Sequence, residues 1–204
     1  NDNMIYIATG EGMAVGENAN SSLIVPDGRG LFRFNPANNS FELVSGTQTW
    51  KHINRLAFLY RNNTLHFYAA TNQGLYRWAV SNGAAWGTPT QVFAGPVQDI
   101  EIVSGDNMAF FTSGSHLYKI SNVTSGNASY SDISSSCPAF GGDALRIELA
   151  AAKSDKTYLY AMVAKKDGLL EGVYLTHNQQ QWTKLTPPTT TPFTADNNGW
   201  HNNT

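Results

Sequence analysis

The chain has 204 residues, 41% of them hydrophobic and 12% aromatic, enough to bury the core of a single all-β domain. Its 13 basic and 15 acidic residues give a net charge of −2, and there is no run of Lys or Arg, which argues against nucleic acid or an anionic membrane as a partner. Cys137 is the only cysteine, so an intrachain disulfide framework and a Cys-based zinc cluster are excluded, and no stretch approaches the roughly 18 apolar residues of a membrane span.

In chain order, Met4–Thr9 has the β-branched and aromatic content of a strand, and Gly10-Glu11-Gly12 ends it. A long polar excursion from Met13 to Gly28 follows, interrupted by Leu23-Ile24-Val25. Strands at Gly30–Phe34 and Phe41–Val44 are joined by a turn at Asn35–Asn39. The next unit is the cleanest, with strands expected at 53–60, 64–71, 74–80 and 89–94, separated by Asn62-Asn63, Asn72-Gln73 and Ser81-Asn82-Gly83. A third set is expected at 98–103, 108–112, 116–120 and 130–133, the last poorly patterned, and a fourth at 144–151, 158–163, 172–176 and 182–185. Ala144–Lys153 has helical spacing of Leu145, Leu149 and Ala152, but it fills the slot of a first strand and is assigned as one. Pro187–Pro192 cannot ladder well and reads as a connector.

Within these units a short motif recurs: Gly30-Leu31-Phe32-Arg33, Gly74-Leu75-Tyr76-Arg77, His116-Leu117-Tyr118-Lys119 and Gly172-Val173-Tyr174-Leu175, at intervals of 44, 42 and 56 residues. The last interval is assigned to a stretched turn at Lys165–Gly168. Strand-rich repeats of this length predict a β-propeller of four-stranded antiparallel blades, here at about 4–46, 53–95, 97–140 and 144–186, within one domain spanning 1–204. The first blade lacks a strand before Met4, and 187–204 reads as a connector into a further blade. A blade hides its apolar faces only against neighbours. The pattern therefore implies about four blades of a larger, roughly seven-bladed ring, with the remaining blades supplied as another chain or a swapped copy.

Tyr6–Gly12 followed by Gly28–Phe32 resembles the opening blade of sortilin-type and BNR-repeat propellers, and Asn198-Gly199-Trp200-His201 is similar to the start of a later blade in them. Thr176-His177-Asn178 with Trp182 resembles their Asp-box turn, with Asn178 in place of the Asp and Gln179 and Gln180 in place of the glycines. Gly30–Pro36 through Phe41 is also similar to the repeats of periplasmic two-component sensor propellers. Tyr68–Trp78 resembles the catalytic strand of propeller xyloglucanases, Arg-Thr-Asp-x-Gly-Gly-x-Tyr-Arg-Trp. The resemblance implies a catalytic carboxylate at a position where this chain has Asn72, which cannot cycle a proton. A sialidase site, as that family implies, needs three converging arginines, whereas Arg33 and Arg77 recur at one blade position as packing or rim residues.

The expected function is a binding or interaction module with a protein or glycan ligand. The alternatives are a propeller glycoside hydrolase with its acids outside this chain, and a periplasmic sensor. No catalytic residue is assigned. Glu11, Glu17, Asp27 and Arg29 in and beside the 10–28 loop, with Trp50 and Trp200 outside the rhythm of the blade tryptophans, are the candidate ligand contacts. Glu11, Glu17 and Asp27 are oxygen donors of the kind Ca2+ accepts, against a plainer reading as solvated loop charges; no other cofactor is expected. Trp78, Trp86 and Trp182 read as packing residues, and the five histidines as surface or strand residues. The absence of a leader before Asn1, with few charges and many turn-forming residues, fits a processed secreted, periplasmic or cell-surface protein.

Overall fold

The computed structural model describes residues 5–10, 27–81, 86–103, 105, 107–152, 155 and 157–186. Among these residues, apart from one 3-10 turn at Ser134–Ser136, every regular element is a β-strand. The chain divides into two compact units, Asn1–Pro96 and Val97–Thr204.

The first unit holds two antiparallel meanders. One has three strands, β1 (Tyr6–Ala8), β2 (Leu31–Asn35) and β3 (Ser40–Leu43), in that order. The other has four, β4 (Ile53–Arg61), β5 (Thr64–Thr71), β6 (Gly74–Ser81) and β7 (Thr90–Ala94). The β4–β5 hairpin closes through Asn62 and Asn63 at φ 51° and 57°, the left-handed pair that a two-residue turn requires and Asn tolerates. At the β5–β6 turn Thr71 Oγ1 accepts the Gln73 and Gly74 N–H groups and donates to the Gly74 carbonyl. Gly74 itself is obligatory, because a Cβ there would strike the Phe93 carbonyl.

Strand alternation sorts the repeated motif onto two faces. Leu31 and Val44, with Tyr6 and Ala8, pack against Phe67, Ala69, Tyr76 and Trp78 of the four-stranded sheet. The aromatic core of this unit includes Tyr6–Phe67, Phe67–Trp78 and Trp78–Trp86 contacts at 5.2, 5.6 and 5.5 Å. On the other face of the three-stranded sheet, Ile7, Phe32 and Leu43 align in one row and Phe34 pairs with Phe41 in the next. Ile5, Ile7, Phe41 and Leu43 there are exposed large hydrophobic residues.

The second unit repeats the plan with two four-stranded sheets. One contains β8 (Asp99–Val103), β9 (Met108–Ser113), β10 (His116–Ile120) and β11 (Tyr130–Asp132); the other contains β12 (Ala144–Ala151), β13 (Leu159–Lys165), β14 (Leu170–Thr176) and β15 (Thr183–Lys184). Val103, Phe110 and Leu117 pack on Ile147, Leu149, Ala161, Val163 and Tyr174. Leu of one sheet thus again meets the aromatic of the next. The inner edge of β12 is covered by side chains of the preceding sheet. Asp99 Oδ2 accepts the Leu149 N–H at 2.7 Å, Thr112 Oγ1 donates to the Ile147 carbonyl at 2.9 Å, and Gln98 Nε2 donates to the Leu145 carbonyl at 2.7 Å. These bonds satisfy backbone groups that an unpaired strand edge would otherwise leave open.

Two readings of the sequence need amendment. The wide interval before the fourth motif does not come mainly from Lys165–Gly168, which forms a tight connection with Gly168 at φ 80° and a Lys165 N–H to Leu169 carbonyl bond. Half of the 14 extra residues lie in 133–143, which carries the 3-10 turn where 95–98 suffices between β7 and β8, and the rest is spread over the longer β12 and β13 and the connections that follow them. The final strand of the fourth sheet is also shorter than 182–185, because only Thr183 and Lys184 pair with β14 in register. Ala144–Ala151 is a strand and not a helix.

Candidate functional site

Three separate segments of the first unit converge at the β5–β6 turn. Asn72 follows the last residue of β5, and its backbone N–H donates to the His52 carbonyl at 3.3 Å. Its side chain is held from both sides, Oδ1 accepting from Asn54 Nδ2 at 2.9 Å and Nδ2 lying 3.1 Å from His52 Nδ1. An amide nitrogen can only donate, so His52 Nδ1 is the acceptor and the ring proton sits on Nε2. That nitrogen lies 3.4 Å from Asp27 Oδ1, while Asp27 Oδ2 is 2.7 Å from Lys51 Nζ. The hydrogen bond from Lys51 holds the Asp27 carboxyl below its ordinary range, outweighing partial burial, with the Lys51 charge acting in the same direction.

Two glycines let these segments meet. A Cβ on Gly28 would run into the Thr9 carbonyl, and one on Gly10, at φ 88°, would overlap the Lys51 carbonyl oxygen. Gly28 N–H donates to that same Lys51 oxygen at 2.6 Å. Thr9 Oγ1 then accepts the Arg29 N–H at 2.8 Å and donates to the Gly30 carbonyl at 2.6 Å, which fixes the backbone next to Asp27.

Of the candidate contacts, Asp27 is in this cluster and Arg29 is exposed beside it. Trp50 is only 2% exposed, with its ring 4.5 Å from that of Tyr76 and 5.4 Å from that of Trp78. It belongs to the core and does not line an open groove. Its position follows from Thr47, which is fully buried and bonds the Val44 carbonyl and the Leu31 N–H, folding the connector inward. Glu11, Glu17 and Trp200 lie outside the described residues. Among those described, no group of three His, Cys, Asp or Glu side chains is placed to hold a metal ion. His52 and Asn54 were not singled out from sequence: His52 precedes β4 and Asn54 sits at the irregularity between Ile53 and Arg55 in its ladder, so strand alternation carries no signal for either.

A second cluster has the residue types of a hydrolytic triad without its geometry. Ser134 Oγ and Asp132 Oδ2 both contact the same ring nitrogen of His116, at 3.3 and 3.1 Å, and Ser134 Oγ donates to Asp132 Oδ1. A triad needs the base to reach the serine through one nitrogen and its orienting carboxylate through the other. The Ser134 bonds also hold the Asp132 carboxyl low against its partial burial. A cleft of about 210 Å3 lies beside the Arg33–Glu42 ion pair and Trp86, smaller than the roughly 300–1,000 Å3 of typical small-molecule sites.

No protein-family model matches the sequence, and no curated protein matches it. Among solved structures, the chain is similar to an ancestral GH74 enzyme, with a TM-score of 0.58 at 15% identity over 89% of this chain. The four sheets are propeller blades. At that identity the likeness is one of fold alone, and the chain spans 25% of the length of the enzyme chain it matches. The segment Thr176–Trp182 forms a turn. Asn178 Oδ1 accepts the N–H groups of Gln180 and Gln181 at 3.0 and 2.9 Å, and Gln179 takes φ 63°.

Proposed function

We propose that this chain is an extracytoplasmic propeller module that binds a glycan without hydrolysing it, through the hydrogen-bonding rim formed by Asn54, Asn72, His52 and Asp27. The observation that carries this is the pair of restraints on Asn72. Where the hydrolase-like motif has a carboxylic acid, this chain has an amide fixed between Asn54 and His52. Inverting or retaining hydrolysis needs two carboxyl groups facing one bond, and among the described residues the rim offers Asp27 alone. Beyond its bonds to Asn54 and His52, the Asn72 amide keeps a second N–H and a second carbonyl lone pair, a donor and an acceptor side by side, which suits vicinal hydroxyls. The exposed apolar face formed by Ile5, Ile7, Phe41 and Leu43 supports further blades as the structural partner of the module.

The test is a glycan array probed with the purified chain, followed by reducing-sugar assays on every glycan retained. Saturable binding weakened at least tenfold by Asn72→Ala, with no turnover, is expected. Failure to bind any glycan, or turnover that disappears in Asp27→Asn, overturns the proposal. The second outcome would favour the hydrolase alternative, which the fold likeness to a GH74 enzyme supports.

A further inference from the structure

Comparison of β4 with β12 shows a strand position that, among the described residues, is filled in the second unit and not in the first. Both are the first strands of four-stranded blades and share a register: Arg55 pairs with Ala70 and Arg146 with Ala164, each next to an irregularity in the ladder. Three residues on, Phe58 pairs with Phe67 and Leu149 with Ala161. Leu149 is 4% exposed, whereas Phe58 is 66% exposed, and Tyr60 farther along the same face is 47% exposed. The difference has a structural cause. Leu149 lies under the preceding blade, whose innermost strand β8 sends Asp99 to the Leu149 N–H and Glu101 toward the Ala151 N–H. The blade preceding β4 has only β1, β2 and β3 among the described residues, ending inward at β1.

We propose that the β1 edge, with Phe58 and Tyr60 as its floor, is a docking site for one extended peptide strand supplied in trans. That strand would add antiparallel to β1 by main-chain hydrogen bonds, with alternate side chains covering the two aromatics. The site continues an interface already formed. Phe58 stands in the same cross-strand row as Phe67 and Trp78, and Tyr6 of β1 packs against that Phe67 ring at 5.2 Å. The occupant's chemistry follows from β8, which fills the equivalent seat in the second unit with Asp99-Ile100-Glu101-Ile102-Val103. It is an extended segment alternating acidic and aliphatic residues, with a carboxylate positioned for the backbone N–H of Phe58. This inference does not depend on glycan binding at the rim.

The probe is a fluorescent synthetic peptide of residues 96–105, titrated into the folded chain and followed by anisotropy. Saturable binding is expected, reduced at least tenfold by Phe58→Ser and by Tyr60→Ser. Each replaces an exposed side chain, so the melting temperature should stay near that of the parent, and using two variants keeps the test open if one misfolds. A peptide carrying both Ile100→Pro and Glu101→Pro should lose binding, because an added strand pairs through the N–H groups of alternate residues and the double change removes them whichever set faces β1. No saturation at millimolar peptide overturns the proposal, as does binding that neither variant weakens. Sedimentation without peptide is the remaining arm: concentration-dependent dimers dissolved by Phe58→Ser would overturn the peptide assignment in favour of a second copy.

Discussion

Asp99 offers the most direct test of how adjacent blades are held together in the second unit. Its side chain is fully buried. One carboxylate oxygen accepts the Ile100 N–H at 2.8 Å and the other the Leu149 N–H at 2.7 Å. Hydrogen bonds to a charged group contribute about 1.5–3 kcal/mol each, and a buried N–H left without a partner costs about 1–3 kcal/mol. Asp99→Ala removes both acceptors and strands the Leu149 N–H, so a loss of about 3 kcal/mol is expected in urea unfolding. Asp99→Asn is not a mild substitute. One of its two oxygens becomes an NH2 group pointing at an N–H donor, and about 2 kcal/mol should go with it. Thr112→Val, which deletes only the bond to the Ile147 carbonyl, should cost about 1 kcal/mol. Amide exchange locates the effect, since the Leu149 N–H should lose protection in Asp99→Ala before the amides of β13 do. If Asp99→Ala costs less than about 0.5 kcal/mol and Leu149 exchanges as in the parent, the side-chain cover over β12 is not what holds these blades together.

Trp50→Ala should lower stability by about 3–5 kcal/mol in thermal or urea unfolding, because the ring is core packing against Tyr76 and Trp78; a neutral outcome would return it to the surface. Asn178→Ala, which removes the acceptor for two turn N–H groups, should cost about 1–2 kcal/mol and raise exchange at Gln180 and Gln181. Lys51→Met should move the Asp27 titration upward toward the ordinary carboxylate value in an NMR pH series, since Lys51 is the main cause of its depression. The linked stability is present above the unfolded value and lost as pH falls through the lowered folded one. His66 is 7% exposed and pushed down by burial and then by the Arg77 charge. Its neutral form is favoured in the fold, so stability should be complete above about 6.5 and fall as pH drops through the lowered folded value. His66→Gln should flatten that acid limb, and an unchanged profile would refute the assignment.

What was legible in the sequence was whatever local chemistry dictates. The motif around Leu31, Leu75, Leu117 and Val173 marks a strand by its alternation, and the strand places Leu and the following aromatic on opposite faces. Asn62-Asn63 announced a two-residue hairpin because Asn tolerates the left-handed backbone found there. Even Ala144–Ala151, whose composition favours a helix, was decided by its slot in the repeat. The short outer strands were harder. β11 is exposed at every position, so no burial imposes an alternation to read. The connector 133–143 was missed for a related reason: its 3-10 turn is a packing solution around Cys137 and Phe140 with no periodicity of its own.

The rim around Asn72 was illegible in a different way, and the reason bears on what such a site can be. Asp27, His52 and Asn72 come from three stretches brought together by turns, and only the glycines at 10 and 28 allow the backbones to approach so closely. A motif search weighs Asn72 as a lost carboxylate. The structure adds that the amide is used, with both its polar ends occupied by neighbours on β4 and the residues leading into it. An aspartate there could accept from Asn54 but would face the acceptor nitrogen of His52, and moving the ring proton from Nε2 to Nδ1 would relieve that conflict at the expense of the contact with Asp27. The present His52 tautomer and an amide at position 72 therefore require each other. Asn72→Asp should move the His52 ring proton from Nε2 to Nδ1 while leaving the turn intact. Nitrogen-15 NMR of that ring separates a rim built around an amide from one that has merely lost an acid: a ring proton still on Nε2 in the variant would show that the amide and the imidazole are not coupled.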